Sequence, residues 1–269
     1  MKKLLQLSLI AALALSLSVT GCKKKSSEET DTDTQTSQNQ NALENDFDQV
    51  ATQVDNAANS NGLKKAGPVV TIDTINSARK MTVDYGTGTL CDDGKMRSGK
   101  ILVTWTGKFR DQGTTKTIAF ENFVQNGNSV DNSSSKTIQN MGRDVNGHMY
   151  WNISVNATVA LANGSTIEWQ STRTRTWMAG ESTPTVWNDD KYQVTGTTTG
   201  INRKGLNYTC TITTPLTVDL SCDKRRITAG VIEMKPEGKL TRTIDYGSGE
   251  CDGTVTVSIG GRTYTITRL

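Results

Sequence analysis

Two groups of side chains in this chain have the types and spacing to do chemistry. The first is a set of carboxylates, Glu181, Asp189 and Asp190, in a loop with Gly180, Pro184 and Trp187, just after Trp177. Paired carboxylates can hydrolyse a glycosidic bond without an imidazole, one protonating the leaving oxygen and the other acting as base or nucleophile. The competing interpretation is a solvated polar loop. The second group lies in the run Trp169-Gln170-Ser171-Thr172-Arg173-Thr174-Arg175-Thr176-Trp177. A strand period of two puts Trp169, Ser171, Arg173, Arg175 and Trp177 on one face, with Gln170 and three Thr on the other. Indole and guanidinium groups together can stack on sugar rings or hold anions. That makes Trp169, Arg173, Arg175 and Trp177 a candidate glycan- or anion-binding strip. The alternative is a packed cross-strand ladder in which Arg stems cover Trp.

Other chemistries lack their parts. The chain has a single His, His148, in Asn146-Gly147-His148, a turn before a strand. A Ser/His/acid triad would have to use it as its base. The G-x-S-x-G, H-E-x-x-H and Walker patterns are absent, so no cofactor or metal is expected. Formal charge is +3, and losing Lys2 and Lys3 with a leader would leave 3 − 2 = +1. A near-neutral body is not an electrostatic nucleic-acid binder. The expectation is a non-enzyme.

The elements that must carry these groups follow from patterning. Apolar residues make up 34% of the 269 residues, a low share for a globular chain, but the abundant Thr suits strands. Residues 151–161 alternate, with Trp151, Ile153, Val155, Ala157, Val159 and Leu161 on one face. Asn163-Gly164 is a two-residue turn signal, and 165–178 return as a second strand. Residues 254–259 alternate again. Gly260-Gly261 turns the chain, and Tyr264 and Ile266 share a face of the last strand. Asn126-Gly127 and Asn146-Gly147 mark further turns. Strands with one apolar and one polar face, joined by tight turns, predict an all-β body of antiparallel sheets, sandwich-like or extended. Ahead of it, Leu43, Phe47, Val50, Val54 and Ala57 recur at helical spacing, predicting a short amphipathic helix over 42–62. Its apolar face either packs on the body or binds a partner.

Residues 1–22, MKKLLQLSLIAALALSLSVTGC, combine a basic start with an uncharged core from Leu4 to Val19. Those sixteen residues span only about 24 Å as a helix, short for a membrane crossing, and fit a secretory leader. The end, Val19-Thr20-Gly21-Cys22, resembles the lipobox of bacterial lipoproteins. The resemblance implies cleavage between Gly21 and Cys22 and acylation of the Cys22 thiol. Two or three acyl chains would then anchor the protein stably, at about 0.8 kcal/mol per buried CH₂. Lys23 in place of Asp after the Cys favours, by the same resemblance, an outer-membrane destination, facing the periplasm or the cell exterior. The run Lys23-Lys24-Lys25-Ser26-Ser27-Glu28-Glu29 partly resembles the surface-export signal of Bacteroidota lipoproteins; a solvated linker is the alternative. Residues 22–41 contain almost no apolar side chain and are expected to form a disordered tether.

An internal echo links two distant segments. Thr82-Val83-Asp84-Tyr85-Gly86 and Thr243-Ile244-Asp245-Tyr246-Gly247 are each followed by a Cys, Cys91 or Cys251, and an Asp/Gly turn. Such self-similarity predicts two related units, a first β unit over 66–179 and a second over 180–269 ending in a hairpin. Asp84 and Asp245 either shape turns or bind calcium, which needs six or more oxygens. With Cys22 acylated, four Cys remain in an oxidising compartment, and an even number suggests disulfides. Cys222 and Cys251 bracket 28 residues of one unit and are the preferred pair. Cys91 with Cys210 follows by elimination; the alternative is that some stay reduced and buried, with Cys210, between Thr209 and Thr211 in a strand, as simple core. There is no C-x-x-C.

Three further segments sharpen the likeness: Arg97-Ser98-Gly99-Lys100-Ile101-Leu102-Val103-Thr104-Trp105-Thr106-Gly107, Arg173-Thr174-Arg175-Thr176-Trp177, and Asp245-Tyr246-Gly247-Ser248-Gly249-Glu250-Cys251-Asp252-Gly253. Over residues 43–269 the chain resembles a group of Bacteroidota lipoproteins without an assigned activity. This implies a β-rich body outside the cytoplasm and a membrane partner through Cys22. A glycan or an envelope protein is the further partner expected. Asp73-Thr74-Ile75 also resembles a Bacteroidota O-glycosylation tripeptide.

Overall fold

The structure, a computed structural model, describes residues 31–59, 67–75, 78–108, 110–183, 186, 188–222 and 226–267. Cys22, the leader and Trp187 lie outside them. The described residues form one helix, α1 (Gln35–Asn59), then β1 (Val69–Ile75), β2 (Ala78–Asp84), β3 (Thr89–Leu90), β4 (Met96–Trp105), β5 (Thr115–Gln125), β6 (Asn128–Val130), β7 (Ser135–Arg143) and β8 (Met149–Ala160). They continue with β9 (Thr166–Ala179), β10 (Lys191–Ile201), β11 (Asn207–Asp219), β12 (Ile227–Pro236), β13 (Arg242–Ser248), β14 (Thr254–Ile259) and β15 (Arg262–Thr267). No described helix is long and apolar enough to cross a membrane.

All the strands belong to one antiparallel sheet, which runs in chain order from β1 to β15. Short β3 pairs with β4, and β6 and β7 share the place between β5 and β8. The all-β expectation is met, with the described strands in one sheet. The sheet continues across the expected boundary between residues 179 and 180. β9 pairs with β10 from Lys191↔Ala179 to Ile201↔Glu168, with a register shift between Lys191 and Tyr192, so the ladder joins the two segments.

Turn chemistry explains the meander. Asn126 and Gly127 both take positive φ, 50° and 80°, as do Gly260 and Gly261 at 55° and 80°. This left-handed pair matches the strand twist of a two-residue hairpin. At Asn163-Gly164, the Leu161 N–H closes on the Ser165 carbonyl at 2.8 Å. The alternation read from β8 holds: Trp151, Ile153, Val155, Ala157 and Val159 are buried, and Asn152, Ser154 and Asn156 are exposed.

What fills the buried face of the sheet is α1. Leu43, Phe47, Val50, Ala51, Val54 and Ala57 are all buried, and they share one core with residues from strands β2 to β14. Phe47 meets Phe120 of β5 edge-on at 6.0 Å and stacks on Trp169 of β9 at 5.2 Å. Glu44 and Asp46 stand about 200° apart around the helix. Glu44 is bound by Arg173 of β9, while Asp46 is bound by Lys95 and by Gln125 of β5. A flat sheet cannot reach both sides of a helix, so the sheet curves around α1.

The helix also begins earlier than its apolar pattern predicts. It starts at Gln35 rather than at residue 42, so residues 35–41 are helical and not tether. Thr34 offers its carbonyl to the Gln38 N–H at 2.9 Å, and the Asp33 carboxylate accepts from the Gln35 N–H at 2.9 Å. Ser37 and Gln40 are fully buried although polar. Hydrophobic periodicity is blind to a turn whose buried face is made of Ser, Thr, Asn and Gln. Residues 60–62 of the expected helix lie outside the described residues.

Candidate functional site

The proposed binding strip does lie on one face of β9, as period two requires. That face looks inward, onto α1. Trp169 is 1% exposed, Arg173 5% and Trp177 5%. The Trp169 indole N–H donates to Gln40 Oε1 at 2.9 Å, an oxygen that the Tyr208 hydroxyl also approaches at 3.3 Å. The Arg173 guanidinium binds Glu44, the Thr197 carbonyl and, at 2.6 Å, Thr198 Oγ1. Arg175 reaches Asp48 at 3.5 Å and lies over the Tyr192 ring at 3.7 Å. The strip expected to bind a glycan or an anion is thus covered rather than open. The anions it holds are carboxylates of the chain's own helix, and the packed ladder is the arrangement found.

Local structure prepares Arg173 for this. Gly196 sits opposite Arg173 in the β9–β10 ladder, with φ +133°, where the pairing of β10 with β11 breaks register between Val194 and Thr197. A Cβ at Gly196 would run into the Thr172 carbonyl. The bulge presents the Thr197 carbonyl and the Thr198 hydroxyl to the guanidinium, which is consistent with bulges re-aiming groups within a ladder.

The same pattern extends around the helix. On the β4–β7 side, Lys95 pairs with Asp46 at 2.7 Å and Lys116 with Asp55 at 2.6 Å. Lys136 Nζ donates to the Phe47 carbonyl at 2.8 Å. Burial pulls the Lys136 ammonium down to about 8, with Asp48 opposing that shift and Arg175 and Lys116 adding to it. At the start of α1, Arg242 binds Asp31 at 2.9 Å and the Leu240 carbonyl, Lys204 binds Asp33, and Asn202 Nδ2 donates to Thr36 at 3.0 Å. An acidic helix is thus clasped by a basic sheet face. No apolar periodicity marks this. The sequence-level signal was available nonetheless: α1 holds Glu44, Asp46, Asp48 and Asp55 and no Lys or Arg.

The carboxylate loop is divided among separate partners. Asp190 is 6% exposed and accepts from Trp177 Nε1 and from the Tyr192 hydroxyl, each at 3.0 Å. Burial raises its pKa against these two hydrogen bonds. Glu181 pairs with Arg143, which holds its carboxyl below the usual value. Asp189 accepts from Thr183 Oγ1 at 2.5 Å. Arg110 covers the Trp177 ring at 4.8 Å. Two carboxylates pushed in opposite directions are a mark of acid–base pairs. Here, though, Asp190 is enclosed by Gly180, where even a Cβ would collide with it, and by two rings. It organises the Trp151–Trp177–Tyr192 aromatic cluster.

The remaining candidates resolve simply. Cys222 and Cys251 form the expected disulfide, joining the β11–β12 and β13–β14 turns. Cys91 and Cys210 do not pair. Cys210 is 2% exposed on β11, and burial pushes its thiol up. Cys91 Sγ lies 3.8 Å from the Thr89 carbonyl. The echoed Asp residues shape turns: Asp84 accepts from the Gly86 N–H at 2.8 Å and Asp245 from the Gly247 N–H at 2.9 Å. Tyr85 and Tyr246 are buried beside them. No group of three metal-binding side chains exists among the described residues. His148 closes a turn, its N–H donating to Asp144 at 2.8 Å. Asp73 is exposed on β1. Cys22, Gly21 and the 23–29 run lie outside the described residues.

No protein-family model, curated protein or solved structure matches this chain.

Proposed function

We propose that this chain is a lipid-anchored protein of the cell envelope, attached through Cys22, with a structural or ligand-binding role and no catalytic one. The seating of α1 supports this best. Nine residues past Cys22 (31 − 22), Asp31 is held by Arg242 and by the Leu240 N–H. The chain then enters the helix that fills the curved sheet. A pull on Cys22 would be resisted by buried ion pairs and by the core, rather than by one peripheral strand.

A ligand-binding role for Trp169, Arg173, Arg175 and Trp177 requires α1 to leave the sheet. A hydrolase role for Asp190 requires the aromatic cluster to open. Both are weaker than the anchored, non-catalytic reading. Its test is metabolic labelling with radioactive palmitate. The wild-type chain takes up label at the cell envelope and the Cys22→Ala variant does not. An unlabelled wild type, with its leader uncleaved in the cytosol, overturns it. Proteolysis of intact cells then separates a periplasmic from an exterior body, and the outer-membrane assignment is read from fractionated envelopes.

A further inference from the structure

Three hairpin turns and the start of the described chain meet at one end of the sheet. Asp31 is bound to Leu240 and Arg242 at the β12–β13 turn, and Asp33 to Lys204 in the β10–β11 turn. The Glu237 N–H donates to the Asn207 carbonyl at 2.8 Å, tying these two turns together. Leu240 lies against the β14–β15 turn, where a Cβ at Gly260 would meet Leu240 Cδ1 at 2.9 Å.

This end has a distinct surface. Leu240 is 50% exposed at its tip. Lys239 precedes it in the β12–β13 turn, Arg262 opens β15 beside the β14–β15 turn and Arg203 lies in the β10–β11 turn, with Lys239 and Arg262 exposed and Arg203 half-buried. The acids nearby are engaged: Asp31 by Arg242, Asp33 by Lys204, and Glu237 by Asn207 Nδ2 at 2.8 Å. At the other end of the same hairpins, the β13–β14 turn carries Glu250 and Asp252 instead.

We infer that the Leu240 tip, with Arg203, Lys239 and Arg262, rests on the anionic headgroups of the leaflet that holds the Cys22 acyl chains. The inference rests on the lipid-anchor reading above and adds an orientation to it. Nine residues can extend no more than about 32 Å, so an anchor at Cys22 keeps the Asp31 end within reach of the headgroups. Basic side chains near an anionic surface are attracted to it within a Debye length. A single apolar side chain among them can enter the interface, as on other peripheral membrane surfaces. The β13–β14 turn, with Glu250 and Asp252, is thereby turned away from the lipid.

The test uses the purified, lipidated full chain in vesicles, with Lys239 as reporter and exposed Lys108 as reference for an amine-modifying reagent. In phosphatidylcholine vesicles containing about one third phosphatidylglycerol, Lys239 reacts about tenfold more slowly than Lys108. In pure phosphatidylcholine, or in the Arg203→Glu/Arg262→Glu variant, most of that protection disappears. Arg262 is exposed and Arg203 half-buried, and an unchanged urea midpoint shows that the variant is folded. Equal reactivity of Lys239 and Lys108 on the anionic vesicles overturns the inference while leaving the anchor intact. Absence of palmitate on Cys22 removes the anchor itself, and the orientation with it.

Discussion

The two flanks of α1 solve one problem with different chemistry. On the β9–β13 flank the buried cations are Arg173 and Arg242, with Arg175 and Lys204 more exposed. On the β4–β7 flank the cations that reach the helix are Lys95, Lys116 and Lys136. Two of the arginine pairs are dry at both ends, with side-chain exposures of 5% and 11% for Arg173–Glu44 and 2% and 8% for Arg242–Asp31, whereas Arg175–Asp48 is wetter at 20% and 29%. In the lysine pairs the acid stays wetter, Asp46 and Asp55 each being 31% exposed. A guanidinium is weakly hydrated and offers several donors in a fixed plane, so it can be buried with its bonds satisfied by a carboxylate, a carbonyl and a hydroxyl. An ammonium is strongly hydrated and loses more on burial. The lesson is that the helix and its lead-in are held on one side by two buried arginine pairs that are costly to break, and on the other by pairs whose acids are partly exposed.

The sharpest way to break the comparison is Glu44→Ala. It leaves Arg173 buried without its carboxylate, and removing one partner of a buried pair costs about 3–5 kcal/mol. Urea unfolding should show this as a lowered midpoint with an unchanged slope. A loss below about 1 kcal/mol would mean that the arginine flank is no drier in effect than the other. The arginine flank is also the cross-linked one. Replacing Cys222 and Cys251 by Ser opens a loop of sequence separation 29, worth about 3.6 kcal/mol on the chain-entropy model. The same unfolding curve reads it, and reducing agent should reproduce the change in the wild type.

On the lysine flank, Lys136 gives the next effect, with the opposite sign. Its ordinary value of 10.5 falls to about 8 in the fold because it is buried. Between those values the unfolded chain binds more protons than the folded one, so this group makes stability rise with pH, by at most about 1.4 kcal/mol per unit. Below pH 8 both states carry the charge and its burial is a full penalty. Lys136→Met should therefore stabilise the protein by about 3 kcal/mol at pH 7, an order-of-magnitude figure from the same linkage, with the gain fading as pH rises from about 8 to 10.5. Comparing wild type and variant across pH 7–10 isolates this residue from Tyr85, Tyr192 and Cys210, whose raised values act in the opposite direction. A variant that is destabilised at pH 7 would show that the bond to the Phe47 carbonyl outweighs desolvation. The smallest effect is expected for Asp46→Ala, about 0.5–1 kcal/mol, as for partly exposed pairs. A loss equal to that of Glu44→Ala would erase the difference between the flanks.

Much of the scaffold could be read from residue patterns. Period two in β8 and β9, the Asn-Gly and Gly-Gly turns, and the closeness of Cys222 to Cys251 along the chain are local signals, and local physics fixes them. The binding strip on β9 was also placed on the correct face. Its occupant was not legible, because Arg173 and Glu44 are 129 residues apart in sequence. Nothing in either segment alone shows that one is the counter-charge of the other. The same limit hid residues 35–41, where Ser37 and Gln40 are buried by polar partners. Gln40 meets Trp169 and Tyr208, and Ser37 lies 3.6 Å from Met234 Sδ. Elimination failed for Cys91 and Cys210 because β11 carries Cys210 into the core, where a thiol packs as a small apolar group.

The central claim is that α1 is a core element of the body, clasped on both sides by the sheet. Native-state hydrogen exchange on the α1 amides tests it most directly. The account predicts that amides of residues 43–54 exchange as slowly as those of β9 and lose protection together with them in Glu44→Ala. Exchange of those amides at the rate of a free peptide, while β9 stays protected, would contradict it.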